Sequence, residues 1–312
     1  MSWARNHSYA NLSLQLRIGL IVNLRRPRAD VVPQLAEQLS AQGHELIAES
    51  STCQTIGLLC QSRTDERFVS ECDLVLALGG DGTLLRAAQL VGSSQVPIMG
   101  INLGELGFLT EFSHEQAITS VNSYIKGECR EEQRMLLQVD RWAKRAATAE
   151  QVRYFALNDA SINMGPVCRA LELAISVNRH YLTRFLADGV VLATPTGSTG
   201  YSLAAGGPIV FPTLEAILIT PLSPHALAAR PLVAAPDDLV QLELGDRHDA
   251  DARLVIDGQC QATLAPGDRI QVKRADYKIR LITPPERSYY QILRRKMKWG
   301  GRDENDSRQP RN

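Results

Sequence analysis

The stretch Leu74-Val-Leu-Ala-Leu-Gly-Gly-Asp-Gly-Thr-Leu84 decides the fold of this 312-residue chain. Its first five residues are all apolar, which is typical of a strand buried on both faces of a parallel sheet. Residues 84–91 have helical periodicity, so the glycine-rich segment 79–83 is predicted to join a strand to a helix. Ligands bind at this carboxyl edge of open α/β sheets. The sequence therefore predicts a ligand site at residues 79–83.

Asp81 is the informative residue of this segment. Gly79, Gly80 and Gly82 let the backbone approach a phosphate, and the helix that follows Thr83 offers free N–H groups. A carboxylate repels phosphate, so Asp81 is expected either to accept a proton from an attacking hydroxyl or to help hold Mg²⁺. A tight turn without further role is the alternative interpretation. The spacing matches neither a Walker A loop nor the dinucleotide-binding Gly-x-Gly-x-x-Gly pattern.

Strand-like and helical segments alternate around this stretch. Residues 16–22, 44–49 and 96–101 resemble further buried strands, and a helix capped by Asp30 is predicted before Gly43. This alternation predicts a parallel sheet covered by helices. A capping box at residues 113–116 is predicted to open one more helix, which ends near Gly127.

The pattern changes after that helix. Short apolar or alternating segments recur from about residue 134 to residue 283, separated by Gly, Pro and Asp turns. This is typical of a β-rich domain. Residues 288–300 resemble a short basic amphipathic helix that docks on the first domain, and the polar residues 301–312 are predicted to be disordered.

Two more clusters carry candidate binding groups. Residues 188–208 run from a strand into a loop rich in hydroxyls, which suits the phosphates and ribose of a nucleotide; a hydrophilic connection between strands is the alternative. Asn158 and Asp159 interrupt an apolar run, although both are poor strand residues. They are predicted either to bind a ribose diol or to form a local turn.

Composition excludes several other classes of protein. The 34 basic residues balance the 34 acidic ones, which argues against a nucleic-acid or anionic-membrane partner. No stretch is long and apolar enough to span a bilayer. The six scattered cysteines favour reduced thiols in the cytoplasm over a zinc site or a disulfide framework.

The three clusters, in this order, resemble the NAD kinase family. The match runs from about residue 16 to about residue 285, and Asn102-Leu-Gly-Glu-Leu-Gly-Phe-Leu109 fits a further family motif. The Gly-Gly-Asp-Gly-Thr loop is shared with lipid kinases and partly with phosphofructokinases. The Thr-Pro-Thr-Gly-Ser-Thr segment at 194–199, followed by Tyr201-Ser-Leu, is far more specific.

The resemblance implies a Rossmann-like α/β domain followed by a β-sandwich domain, with a C-terminal helix that packs back on the first domain. The expected boundaries are 12–118 together with 286–300 for the first domain, 119–285 for the second and 301–312 for the tail. It also implies a homodimer or homotetramer.

The resemblance implies transfer of the terminal phosphate of ATP to the 2′-hydroxyl of the adenosine ribose of NAD, with Asp81 as base and a divalent metal, Mg²⁺ before others. No metal ligand is assigned. The residues that it implies for binding NAD or ATP are Gly82, Arg86, Asn158, Asp159, Arg169, Asp188, Thr199, Gly200, Tyr201, Ser202 and Gln259. Further pocket candidates are Gly79, Gly80, Thr83, Phe108 and Thr196.

Two residues depart from the family pattern. Gly200 stands where Ala is common, which loosens the loop, and Asp159 stands where Glu is usual, which shortens the reach of the carboxylate. The rival functions are a lipid kinase of the diacylglycerol or sphingosine type and a nucleotide-binding module without turnover. The donor nucleotide and the acceptance of NADH are left open by the sequence.

Overall fold

The computed structural model describes residues 15–23, 31–56, 61–63, 66–104, 107–143, 151–165, 169–245 and 252–299. The predicted disordered tail at 301–312, the predicted domain start at residues 12–14 and the predicted helix cap Asp30 lie outside these residues.

The first part of the chain alternates strands with helices, as its sequence predicts. Its elements are β1 (Arg17–Val22), α1 (Val31–Ala41), β2 (Glu45–Glu49), α2 (Ser50–Ile56), β3 (Gln61–Arg63), β4 (Leu74–Leu78), α3 (Asp81–Val91), β5 (Ile98–Asn102), β6 (Phe112–Ser113) and α4 (Ala117–Ile125).

Strands β1 to β5 form a parallel sheet in the order β3-β2-β1-β4-β5. Every residue of β4 and β5 is buried, because helices cover both faces of the sheet. Helices α1 and α4 pack on one face through Leu39 and Val121, and α3 packs on the other through Leu84 and Ala87. Strand β4 lies between β1 and β5, so its carboxyl end is flanked by a strand on either side.

The second part of the chain is built from strands. Its elements are β7 (Arg130–Trp142), β8 (Gln151–Ala156), β9 (Asp159–Met164), β10 (Leu171–Val177), β11 (His180–Ala187), β12 (Gly189–Ala193), α5 (Tyr201–Ala204), β13 (Ile217–Leu222), β14 (Leu232–Ala234), β15 (Val240–Leu244), β16 (Ala252–Ile256), β17 (Gln259–Leu264), β18 (Arg269–Thr283) and α6 (Tyr289–Met297).

These strands form a sandwich, which confirms the predicted fold class. One layer is a six-stranded sheet in the order β14-β13-β12-β9-β16-β17. The other layer holds β7, β8, β10, β11, β15 and β18. Val139 and Leu242 from this layer share one core with Ile162 and Leu192 from the six-stranded sheet.

Strand β18 joins the two parts of the molecule. Its first half pairs antiparallel with β15, and Leu281 and Ile282 near its end pair parallel with β5. It is one continuous strand with an irregularity between Arg274 and Lys278 opposite β7. Because of β18, the sheet of the first part continues into the second.

Two local features differ from their sequence predictions. The expected capping box at 113–116 is wrong, since a 3₁₀ turn over His114–Gln116 opens α4 and Ser113 caps no backbone N–H. A capping box is found instead at Ser288 and Gln291, where it opens α6. The predicted domain boundary between residues 118 and 119 falls inside α4, whose buried residues pack with the first part.

The C-terminal segment returns to the first part of the chain. The guanidinium of Arg287 donates to the backbone carbonyl of Glu111. Tyr289 at the start of α6 lies edge-on to Phe211, with ring centroids 5.1 Å apart. The segment therefore contacts both parts.

A substitution at Gly189 tests the packing of the six-stranded sheet. A Cβ at this position would lie 2.0 Å from the backbone carbonyl oxygen of Ile162 on the neighbouring strand β9. Backbone in a central strand cannot move aside, so we expect Gly189→Ala to reduce the free energy of unfolding by about 2–3 kcal/mol. Urea denaturation followed by circular dichroism measures this, and an unchanged midpoint would contradict the close approach.

Candidate functional site

The glycine-rich segment lies where the sequence predicts it, between β4 and α3. Helix α3 begins at Asp81, with Gly80 in extended conformation as its N-cap. A Cβ at Gly79 would lie 2.2 Å from Oγ1 of Thr83, so this position requires glycine. A Cβ at Gly80 or Gly82 would meet no described atom within 4 Å. Open space therefore borders a helix N-terminus, an arrangement that suits an anion.

The Asp81 carboxylate is held by a second segment, residues 107–110, which we call the cradle. Its Oδ2 accepts the N–H of Phe108 at 2.9 Å, and its Oδ1 accepts the N–H groups of Leu109 and Thr110, each at 3.1 Å. A Cβ at Gly107 would lie only 1.9 Å from Oδ1, so glycine is required there too. Residues 107–109 of the sequence motif thus surround the Asp81 carboxylate.

Asn158 lies in the turn that joins β8 to β9, and Asp159 follows it as the first residue of β9, so the local-turn interpretation applies and ribose binding stays a prediction. Strand β8 ends at Ala156 and β9 begins at Asp159, so the apolar run breaks at Leu157 and Asn158. The carboxylate of Asp257 accepts the N–H groups of residues 157, 158 and 159 at 2.9, 2.8 and 3.1 Å. One aspartate therefore fixes the turn that carries the other two polar side chains.

The hydroxyl-rich loop packs directly on this turn. The N–H of Thr194 donates to the carbonyl of Asn158 at 2.9 Å, and its hydroxyl donates to the carbonyl of Leu157 at 2.6 Å. A Cβ at Gly197 would lie 2.1 Å from the same Asn158 oxygen. The second and third clusters of the sequence are thus brought together.

Helix α3 connects the Asp81 loop with the Asn158 turn. Leu157 of the turn shares a hydrophobic cluster with Leu84 of the helix and Leu109 of the cradle. Near the end of the helix, the Gln89 side chain hydrogen-bonds to the Asp257 carboxylate. All three sequence clusters therefore border one region of the molecule.

Carboxyl groups dominate the electrostatics of the turn. Burial, and next the charge of Asp257, raise the pKa of Asp159 to about 7. Burial also raises the pKa of Asp257, but its three N–H donors favour the charged form. With a pKa of about 7, the Asp159 carboxyl is partly protonated near neutral pH. Burial, followed by the charges of Asp159 and Asp188, raises the pKa of Tyr201, which places these three groups together.

Two buried polar atoms of this region have no hydrogen-bond partner among the described residues. They are Oδ1 of Asn158 and Oγ1 of Thr196. An unpaired buried polar atom is costly, so such atoms in a cluster indicate a place for a polar ligand. The hydroxyl of Tyr201 is paired and donates to Oδ1 of Asn163 at 3.2 Å.

The other residues implied by the family resemblance differ in exposure. Gly200 and Gln259 are exposed, and Gln259 lies two residues after Asp257 at the start of β17. Ser202 is fully buried, and its hydroxyl lies 2.9 Å from that of Thr220. Thr199 is half-buried, with its hydroxyl 3.5 Å from the carbonyl of Thr196.

The two arginines of the predicted site lie at its margins. Arg86 forms an ion pair with Glu49 at the end of β2, with both carboxylate oxygens as acceptors. Arg169 is exposed just before β10. We call Asp159, Asp188 and Asp257 the carboxyl cluster. Among the described residues, neither arginine forms a hydrogen bond to this cluster.

Sequence reasoning missed Asp257 and Thr110. Asp257 and Gly258 both have positive φ, 47° and 77°, and form the tight connection between β16 and β17. An Asp-Gly pair between strands indicates a hairpin turn, which gives no hint that its carboxylate binds a distant turn. Thr110 lies just beyond the family motif that ends at Leu109, so no pattern singled it out.

In the part of the chain that the structure describes, no three His, Cys, Asp or Glu side chains converge in a way that could hold a metal ion. No helix in the same residues is both long and apolar enough to cross a membrane.

The raised pKa of Asp159 predicts a pH-dependent stability. A carboxyl group whose pKa is raised in the folded state makes its full contribution to stability below its pKa in the unfolded chain, which is about 4. It loses this contribution as the pH rises through its folded-state pKa of about 7. We therefore expect the melting temperature of Asp159→Asn, relative to that of the wild type, to rise by roughly 2–6 °C as the pH is raised from about 5 to about 8.

Differential scanning calorimetry of both proteins across this range measures the gain. Burial also raises the pKa of Glu111 to about 7, but this contribution cancels in the comparison because both proteins contain it. A difference between variant and wild type that stays constant with pH would contradict the interpretation.

Comparison with known proteins agrees with this geometry. Residues 18–129 match the ATP-NAD kinase N-terminal domain, and residues 157–283 match the ATP-NAD kinase C-terminal domain. A protein of Syntrophotalea carbinolica named NAD kinase is 39% identical over 287 residues, which cover 92% of this chain and 99% of the relative. A protein of Citrifermentans bemidjiense with the same name is 40% identical over 289 residues, with the same coverage.

Solved structures show the same likeness. A yeast NADH kinase crystallised with NADH aligns with a TM-score of 0.84 and 27% identity, over 96% of this chain and 90% of the other. An NAD kinase of Archaeoglobus fulgidus in complex with ATP shares the fold, with a TM-score of 0.70 and 22% identity, over 90% of this chain and 98% of the other. With both domain models and relatives that match along nearly their whole length, the chain belongs to the NAD kinase family.

Proposed function

We propose that the protein transfers the terminal phosphate of ATP to the 2′-hydroxyl of the adenosine ribose of NAD, which gives NADP, and that Asp81 is the general base. The observation that carries this proposal is the placement of Asp81. Its carboxylate is fixed by the cradle at the carboxyl end of β4, next to an open glycine loop and a helix N-terminus.

The glycine loop suits the phosphate groups. The N-terminal N–H groups of α3 and the positive end of its dipole attract an anion, and the space next to Gly80 and Gly82 admits one. Arg86 lies one turn into the same helix, where it can exchange Glu49 for a phosphate. The backbone N–H groups of α3 and the Arg86 guanidinium then neutralise the charge of the phosphate groups, which the neutral overall composition of the protein does not.

The carboxyl cluster suits the hydroxyl groups of the dinucleotide. Carboxylates and amides bind vicinal diols by accepting and donating hydrogen bonds, and the unpaired Oδ1 of Asn158 is such an acceptor. Because the pKa of Asp159 lies at about 7, its carboxyl can either donate to or accept from a hydroxyl. The proposed binding groups of this side are Asn158, Asp159, Arg169, Asp188, Thr196, Thr199, Gly200, Tyr201, Ser202 and Gln259, and Phe108 is proposed to line the pocket next to Asp81.

Mg²⁺ is proposed as part of the donor substrate. The described residues build no cage of protein ligands for it, and Mg²⁺ in phosphoryl-transfer enzymes is bound largely by the substrate phosphates and water. When bound with ATP, the ion neutralises charge on the transferred phosphoryl group.

The proposed mechanism consists mainly of positioning. The acceptor oxygen must lie in line with the terminal phosphate, and we assign the positioning of the two reactants to the Asn158 turn and the glycine loop. A ribose hydroxyl is barely ionised at neutral pH, so the Asp81 carboxylate takes its proton as the oxygen attacks phosphorus. Cytoplasmic location and a homodimer or homotetramer stay predictions from the sequence.

An enzymatic assay tests the proposed function. We expect purified protein with NAD, ATP and Mg²⁺ to form NADP, detected by an NADP-specific dehydrogenase. Diacylglycerol and sphingosine as acceptors separate the lipid-kinase alternative, and NAD binding without NADP formation would favour the module without turnover. The same assay with NADH, other nucleoside triphosphates and polyphosphate defines the acceptor and donor.

Asp81→Asn tests the role of the carboxylate. The amide has the same shape but cannot take the proton, and its NH₂ group cannot accept a backbone N–H from the cradle as the replaced oxygen did, so we expect the turnover number to fall by roughly 10²–10⁴-fold. NAD binding by isothermal titration calorimetry serves as the control, because it depends mainly on the Asn158 turn and should be retained. Turnover close to that of the wild type would contradict the assignment of Asp81 as base.

A further inference from the structure

A chain of hydrogen bonds ends at the Asp81 carboxylate. The backbone N–H of Gly104 donates to Oδ1 of Asn102 at 2.7 Å. Nδ2 of Asn102 donates to Oγ1 of Thr110, also at 2.7 Å, and this hydroxyl donates to Oδ1 of Asp81 at 3.1 Å. Asn102 and Thr110 are buried, with 3% and 0% of their surface exposed, so water does not compete for these bonds.

The direction of this chain is determined by its first bond. Because Oδ1 of Asn102 accepts from a backbone N–H, the side-chain amide has one orientation and its Nδ2 must donate to Thr110. A threonine hydroxyl has a single hydrogen. Since Oγ1 accepts from Asn102, that hydrogen is directed at Oδ1 of Asp81.

The two oxygens of Asp81 therefore differ in what they can still accept. Oδ1 accepts the N–H of Leu109, the N–H of Thr110 and the Thr110 hydroxyl. Oδ2 accepts one bond among the described residues, from the N–H of Phe108. A carboxylate offers about two acceptor positions on each oxygen. Oδ1 is fully occupied and Oδ2 has a position free.

We propose that Thr110, oriented by Asn102, is a positioning residue that holds Oδ1 so that Oδ2 is the atom of Asp81 that takes the proton. The proposal rests on the proposed function, since it assumes that Asp81 acts as base. The carboxyl torsion of aspartate is intrinsically broad. Three N–H donors restrict it, and the bond from the Thr110 hydroxyl restricts it further by adding a third donor to Oδ1.

The test compares two substitutions of buried threonine by valine. Thr110→Val keeps the shape of the side chain and all three N–H donors but removes the hydroxyl. We expect the turnover number to fall by about tenfold, because a small misplacement of a reacting group costs up to about 10²-fold. The KM values for NAD and ATP are expected to change by less than about twofold, since no binding group is touched.

Thr52→Val is the matched control. Thr52 lies in α2, is 1% exposed and has a hydroxyl without a partner among the described residues. We expect this variant to keep the turnover number of the wild type. Thr110→Ser restores the donor and is expected to recover the turnover number to within about twofold of the wild type.

The results separate the possible explanations. Loss of the Thr110 hydroxyl also leaves Nδ2 of Asn102 without an acceptor. Thr110→Val is therefore expected to melt at a lower temperature than the wild type, and it is assayed well below its melting point. If Thr110→Val does not fold, Thr110→Ala and Thr110→Ser form a second pair that differs by the hydroxyl.

A turnover number that is unchanged in Thr110→Val, or equally reduced in Thr110→Ser, would overturn the proposal, as would a matching rise in KM. A wild-type protein that forms no NADP refutes the proposed function itself, so the two failures are distinguishable.

Discussion

The bonds between the Asp81 carboxylate and the N–H groups of residues 108–110 are the interaction on which the site depends. They tie the start of α3 to the segment after β5, so the glycine loop and the cradle form one rigid unit. The interaction requires Gly107, because any side chain there would overlap the carboxylate. A group placed in this way needs little reorganisation during a reaction.

Asp257 repeats this arrangement in the second part of the molecule. It too accepts the N–H groups of three consecutive residues, 157–159, and thereby holds a turn that neither β8 nor β9 would fix by itself. Asp81 remains half-buried beside open space, whereas Asp257 is buried among its donors. The same interaction thus supports the proposed base in one place and the proposed binding turn in the other, and β18 links the two parts of the molecule through its pairing with β5.

The sequence predicts local structure better than it predicts long-range partners. The strand at 74–78, the glycine loop and the helix after it are all confirmed, because an uninterrupted apolar run and a helical period are local signals. The capping box at 113–116 is wrong, since capping depends on the direction in which the chain enters the helix. Asp257 binds residues about 100 positions away, and no pattern within one segment encodes such a contact.

The distribution of charge explains how a neutral protein can bind a polyanion. Near the Asn158 turn, Asp159, Asp188 and Asp257 would repel phosphate groups. At the glycine loop, backbone N–H groups and a helix N-terminus attract them. The proposed function therefore favours one orientation of the dinucleotide, with its phosphates directed away from Asp159, Asp188 and Asp257 and its sugar hydroxyls towards them. Because burial raises the pKa of Asp159 to about 7, repulsion in the cluster is reduced without loss of hydrogen-bonding groups.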